Sequence, residues 1–179
     1  MRPLLLSLLL VCSLRAADPA PFEIVEGDRV LLLGDTLLER ENTYGYLETR
    51  MHEQFPDRHF TVRNLSWAGD TPHGVSRASF DLPEMGWERL KESIALVKPT
   101  VVFLGYGMAA SLQEMTDRAQ DITLNRDETR YGAEPYFVGR FKKELAQLME
   151  AIEKGAADYA DSPVRFVLIG PIKIGRAHV

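Results

Sequence analysis

Residues Asp28 to Thr36, D-R-V-L-L-L-G-D-T, constrain the fold more than any other stretch of the chain. The apolar run from Val30 to Leu33 has no alternation that would leave one side wet. As a strand it must be covered on both faces, the condition of a parallel strand inside an α/β sheet. Gly34 closes the run, and the polar pair Asp35 and Thr36 leads into a helical segment. Open α/β sheets bind ligands beyond the carboxyl ends of their strands. A hydroxyl held there on a glycine-enabled turn is a candidate nucleophile. The plainer reading is a strand-to-helix connection in which Asp35 or Thr36 caps the helix.

The same pattern recurs along the chain. Apolar positions Leu37, Leu38, Tyr44, Leu47, Met51 and Phe55 predict a helix over 37–55, weakened near Gly45 and ended by Pro56. His59 to Leu65 reads as a second strand, leaving through Ser66-Trp67-Ala68-Gly69-Asp70. The connection from Asp70 to Gly86 has two prolines and little periodicity, and reads as a long functional loop. Leu90, Ile94 and Val97 place a helix over 87–97. Thr100 to Leu104 is the clearest strand, opening into Gly105-Tyr106-Gly107-Met108-Ala109. Gln113 to Gly132 reads as a polar surface excursion, 134–154 as a helix, and Val164 to Ile169 as a fourth strand. Four strand–helix alternations without hairpin signals predict a doubly wound parallel sheet with helices on both faces.

Composition narrows the class. With 179 residues, 45% hydrophobic and 26% charged, the chain can bury a core and is not of disordered type. Its net charge of −5 and the absence of a basic cluster with interleaved aromatics exclude nucleic acid as an electrostatic partner. Arg2, the apolar run Leu4–Val11 and small residues at Ala16 and Ala17 read as a signal peptide over 1–16, too short to form a stable membrane span. Its removal takes Arg2 and Arg15 but no acid, so 21 basic residues fall to 19 against 26 acidic ones and the charge becomes −7. Cys12, the one cysteine, goes too, leaving neither disulfide nor thiolate. The expected location is therefore outside the cytoplasm, with 17–27 as a leader into a domain spanning 28–173. His52, His59 and His73 lack a second ligand at metal spacing and read as surface or satisfied histidines, so no metal site is expected. Trp67 and Tyr106 could line a carbohydrate pocket, although an aromatic beside a strand end is more often core.

Gly34-Asp35-Thr36, Gly69 within N-L-S-W-A-G-D-T, and Gly107-Met108-Ala109 after an apolar strand form an ordered set. The set resembles the SGNH or GDSL-type hydrolases, a flavodoxin-like family of esterases, lipases and carbohydrate deacetylases, and is most like exported members from planctomycete-type bacteria. The likeness runs from about Glu26 to Pro171. It implies a nucleophile at Thr36, where most members carry serine. It implies oxyanion donors at the Thr36 backbone and at Gly69, with Asp35 and Gly107 on the same edge. Ala109 stands where the family has a donor asparagine. The resemblance calls for a small-molecule or carbohydrate ester substrate and no cofactor. The family's aspartate and general-base histidine follow a later strand, so the resemblance implies a C-terminally incomplete domain with one uncovered apolar face. Residues 174–179 read as a non-native tail, and His178 is not taken as that base. Two other functions fit the residues: a non-catalytic binding or spacer domain of the same fold, favoured by Thr36 and Ala109, and a nucleotide-binding flavodoxin-like module, disfavoured because no G-x-G-x-x-G turn or P-loop occurs.

Overall fold

The computed structural model describes residues 21–108 and 136–170. Strand β1 (Arg29–Gly34) leads into three short helices, α1 (Thr36–Glu39), α2 (Glu41–Tyr44) and α3 (Tyr46–Gln54). Strand β2 (Thr61–Asn64), a 3-10 turn (Val75–Ala78), α4 (Pro83–Val97), β3 (Val101–Gly105), α5 (Tyr136–Ala156) and β4 (Arg165–Leu168) follow. The strands are parallel and ordered β2-β1-β3-β4. The expected flavodoxin-like α/β sheet is therefore present, with a strand inside each of the four segments read as strands.

Strand β1 is covered on both sides, as its unbroken apolar run requires. Val30 and Leu32 pack with Ile24, Leu38, Met51, Val62, Val101 and Phe103 on one face. Leu31 and Leu33 pack with Leu90, Ile94, Val102, Leu104, Leu148 and Ile152 on the other. The alternation within both β1 and β3 follows the two-residue period of a strand. Thus α1 and α3 cover one face, while α4 and α5 cover the other. The chain moves from β1 outward to β2, then crosses back to β3 on the far side of β1. Right-handed crossovers in opposite directions place their helices on opposite faces. At the β4 edge the cover thins, and Leu168 is 60% exposed.

Three expectations need correction. The helix over 37–55 is three pieces: Gly45, at φ +64°, ends α2 in the left-handed region, and the Glu41 carboxylate accepts the Leu47 N–H at 2.7 Å to start α3. The 70–86 connection is not irregular throughout, since it contains the 3-10 turn and α4 begins at Pro83 rather than Trp87. Proline at a first helical position gives up an N–H that has no intrahelical partner anyway. The second strand is shorter than 59–65 and contains only Thr61–Asn64. The 113–132 excursion lies outside the described residues.

Candidate functional site

The sheet changes winding direction between β1 and β3, and the crevice beyond their carboxyl ends is where such folds hold ligands. Two glycines bring these strand ends unusually close. A Cβ on Gly34 would lie 2.4 Å from the Gly105 carbonyl oxygen, and one on Gly105 would lie 2.7 Å from Leu38 Cδ1. Asp35 then locks the two exits together. Its N–H donates to Gly105 O at 3.1 Å, one carboxylate oxygen accepts the Leu37 N–H at 3.3 Å, and the other accepts the Met108 N–H at 2.9 Å. The capping role belongs to Asp35, which is 1% exposed, while Thr36 is the first residue of α1 and keeps partial access to solvent.

The segment after β2 reaches the same edge. Leu65 and Trp67 donate to Leu32 O and Gly34 O at 2.9 and 3.0 Å, which prolongs the β1–β2 ladder past the end of the strand. Asn64 braces the corner, donating to Leu38 O at 2.6 Å and accepting the Ser66 N–H at 2.9 Å. The chain then turns, with Gly69 at φ +70°, and the Gly69 N–H donates to Thr36 Oγ1 at 3.1 Å. Asp35, Thr36 and Gly69 thus meet at one edge, joined through the Met108 N–H to the turn after Gly107, itself at φ +130°. Ala109 lies outside the described residues.

Beneath this edge sits a buried polar cluster that the sequence reading did not single out. The Arg77 Nε donates to Asp70 Oδ2 at 2.7 Å, with side chains 7% and 0% exposed. Burial pushes the Asp70 carboxyl above the usual carboxylate range, and the Arg77 charge and the Ser76 N–H only partly offset it. Tyr106 is core rather than pocket lining. Burial raises its hydroxyl well above the ordinary phenol range, and the hydroxyl has no hydrogen-bond partner among the described residues. An arginine in a loop without periodicity gives no local sign that it will be buried. Trp67, by contrast, is half exposed, stands 5.7 Å from the Arg77 guanidinium, and lines an open cleft of about 630 Å³ with Phe80 and Arg89.

The described histidines lie elsewhere. His52 stacks on Phe60, His59 pairs with Glu26 at 3.1 Å, and His73 stacks on Trp87 and bonds Gln147 at 2.9 Å. His178 lies outside the described residues. Among the described residues no group of three or more His, Cys, Asp or Glu side chains could hold a metal, and no helix is long and apolar enough to cross a membrane.

No protein-family model and no curated protein matches the chain. Among solved structures it is similar to a gut microbial diltiazem-metabolizing enzyme, at 20% identity and a TM-score of 0.40 over 83% of this chain and 27% of that one. This chain therefore spans about a quarter of that enzyme's length. It is also similar to the psychrotrophic esterase EstA from Pseudoalteromonas sp., in a structure inhibited by monoethylphosphonate, at 16% identity and a TM-score of 0.39 over 78% and 76% of the two chains. TesA is similar at 18% identity and a TM-score of 0.32, over 72% and 74%.

Proposed function

We propose that this chain is an exported SGNH-type hydrolase acting on an ester or acetyl group, with Thr36 as nucleophile and the Gly69 N–H as an oxyanion donor. The observation that carries the reading is the 3.1 Å hydrogen bond from the Gly69 N–H to Thr36 Oγ1. A donor aimed at a hydroxyl favours negative charge on that oxygen. When the hydroxyl gives its proton to a base and attacks an acyl carbon, the C=O π bond breaks and its electron pair comes to rest on the former carbonyl oxygen, two bonds from Oγ1. A donor already in place can follow it without reorganisation. Strand-end glycines and the Asp35 bonds hold the hydroxyl in a narrow range of positions, which is what attack at a fixed distance requires.

A second reading, a non-catalytic binding domain of the same fold, is favoured by the histidines. Each of the three described histidines is engaged away from Thr36, and the threonine methyl crowds the line of attack. Hydrolysis of a short-chain aryl acetate by a full-length version of the protein separates the two. Under the hydrolase reading Thr36→Ala abolishes turnover and Thr36→Ser raises it. Ala109→Asn, which supplies a side-chain donor, raises it by at most about 2.7 to 4 kcal/mol of barrier. Full activity in Thr36→Ala would move the chemistry elsewhere, and silence in all variants, with a base present and the fold intact, would favour the binding domain. Export is tested by N-terminal sequencing of the protein expressed in a bacterium. Cleavage after Ala16 is expected, and a cytoplasmic product retaining Met1 would contradict it.

A further inference from the structure

The turn that carries Gly69 has little to hold its direction. Gly69 is exposed, and a Cβ placed on it would meet nothing closer than Ser76 Oγ at 4.0 Å, so packing does not fix the peptide. The sheet anchors the segment only as far as Trp67, through the bonds to Leu32 and Gly34. Beyond that, the Asp70 N–H reaches back to Trp67 O at 3.0 Å and Ser76 Oγ donates to Gly69 O at 2.9 Å. Arg77 closes the loop: its Nη2 donates to Leu65 O at 2.5 Å and its Nε to Asp70 Oδ2 at 2.7 Å. One rigid guanidinium therefore grips both ends of the turn. Arg77 is itself fixed from behind, since Arg89 on α4 donates to the carbonyls of Arg77 and Ala78 at 2.8 and 2.9 Å.

We propose that Arg77 is a positioning residue, holding the Gly69 N–H on Thr36 Oγ1; its part in turnover rests on the hydrolase reading above. Stability alone does not account for the pair. Replacing a buried ion pair by apolar side chains of similar volume is often neutral or stabilising. The planar fork offers what an apolar pair cannot, two bonds in fixed directions from one group. A lysine keeps the charge but is a single point. It can reach Asp70 or Leu65 O without fixing the distance between them.

The test uses Arg77→Lys, with the double variant Arg77→Met/Asp70→Leu as a second brace-free protein that leaves no buried charge unpaired. The first readout is the NMR resonance of the Gly69 amide. Thr36→Val, which removes the acceptor, should move that proton upfield, and both brace variants should move it the same way while amides in β1 and β3 stay in place. The second is turnover of an aryl acetate by the full-length version, where kcat should fall about 10- to 100-fold, short of the loss from deleting a donor outright, with KM little changed. A Gly69 amide unmoved in both folded variants would overturn the proposal, as would a rise in KM at unchanged kcat. If a full-length version with its base present hydrolyses nothing, the hydrolase reading fails, and the amide resonance still decides whether Arg77 holds Gly69.

Discussion

Gly34 illustrates how much a single residue determines at this edge. Its φ is unremarkable, so the demand for glycine comes from space: an added Cβ would lie 2.4 Å from Gly105 O and 2.8 Å from Gly105 C, both backbone atoms that cannot swing away. Gly34→Ala must therefore push β1 and β3 apart where Asp35 bridges them. Overpacking of this kind costs about 1 to 3 kcal/mol. Chemical denaturation should show a loss of that size. The displaced Thr36 should also lose its bond from Gly69, so any esterase activity should fall further than the stability deficit explains. An unchanged midpoint would mean that the strand ends are more compliant than their contact distance implies.

At the scale of an element, α4 sets propensity against packing. Gly86 lies one turn into the helix, where replacement by alanine would ordinarily gain about 1 kcal/mol. Here a Cβ would come within 2.2 Å of Gly74 O and 3.0 Å of the Ala78 N, because the helix presses its first turn against the 3-10 turn that carries Arg77. The contact term outweighs the propensity term, so Gly86→Ala is expected to destabilise the protein by about 1 to 3 kcal/mol, read as a fall in Tm. A rise in Tm would show that the helix can tilt away at little cost. The same close approach explains why 70–86 looked like a loop: its order depends on Gly74 and Arg89 contacts between turn and helix, which leave no periodicity in the sequence.

Across the whole molecule, the end of the sheet opposite the site is tied by Asp28. Burial works to raise its carboxyl. The Arg165 guanidinium at 2.6 Å, the Val25 N–H at 2.7 Å and the Thr100 hydroxyl at 2.7 Å outweigh this and hold it below the usual carboxylate range. A group lowered in the folded state adds stability above its unfolded pKa, and that stability is lost as pH falls through the folded value. Asp28→Asn should therefore lower Tm at neutral pH, and its deficit from wild type should shrink as pH drops below the ordinary value of 3.8. A deficit that stays constant through acid would mean that Asp28 acts by shape and not by charge. Asp70 works in the opposite sense. Its raised carboxyl contributes most when protonated, and that contribution is lost as pH rises through the folded value.

The strands were legible from sequence because they depend on local composition. Val30 to Leu33 and Val101 to Leu104 are apolar at every position, and water excludes such runs from any surface whatever their neighbours. The turns after Gly34 and Gly69 were legible for a similar reason, since glycine and small polar residues mark where a chain can reverse. That Asp35 takes the cap while Thr36 stays partly open could not be read from their order, because both residue types cap helices; only the Leu37 and Met108 N–H groups distinguish them. Nor could Arg77 be recognised as a buried brace. Its partners, Leu65 O and Asp70, lie 12 and 7 residues away, across a segment whose residues follow no helical or strand period. Short-range chemistry determined which segments fold as strands and where they turn. The tertiary structure decided which polar groups meet, because a hydrogen bond depends on distances of a few ångströms that only the packed sheet supplies.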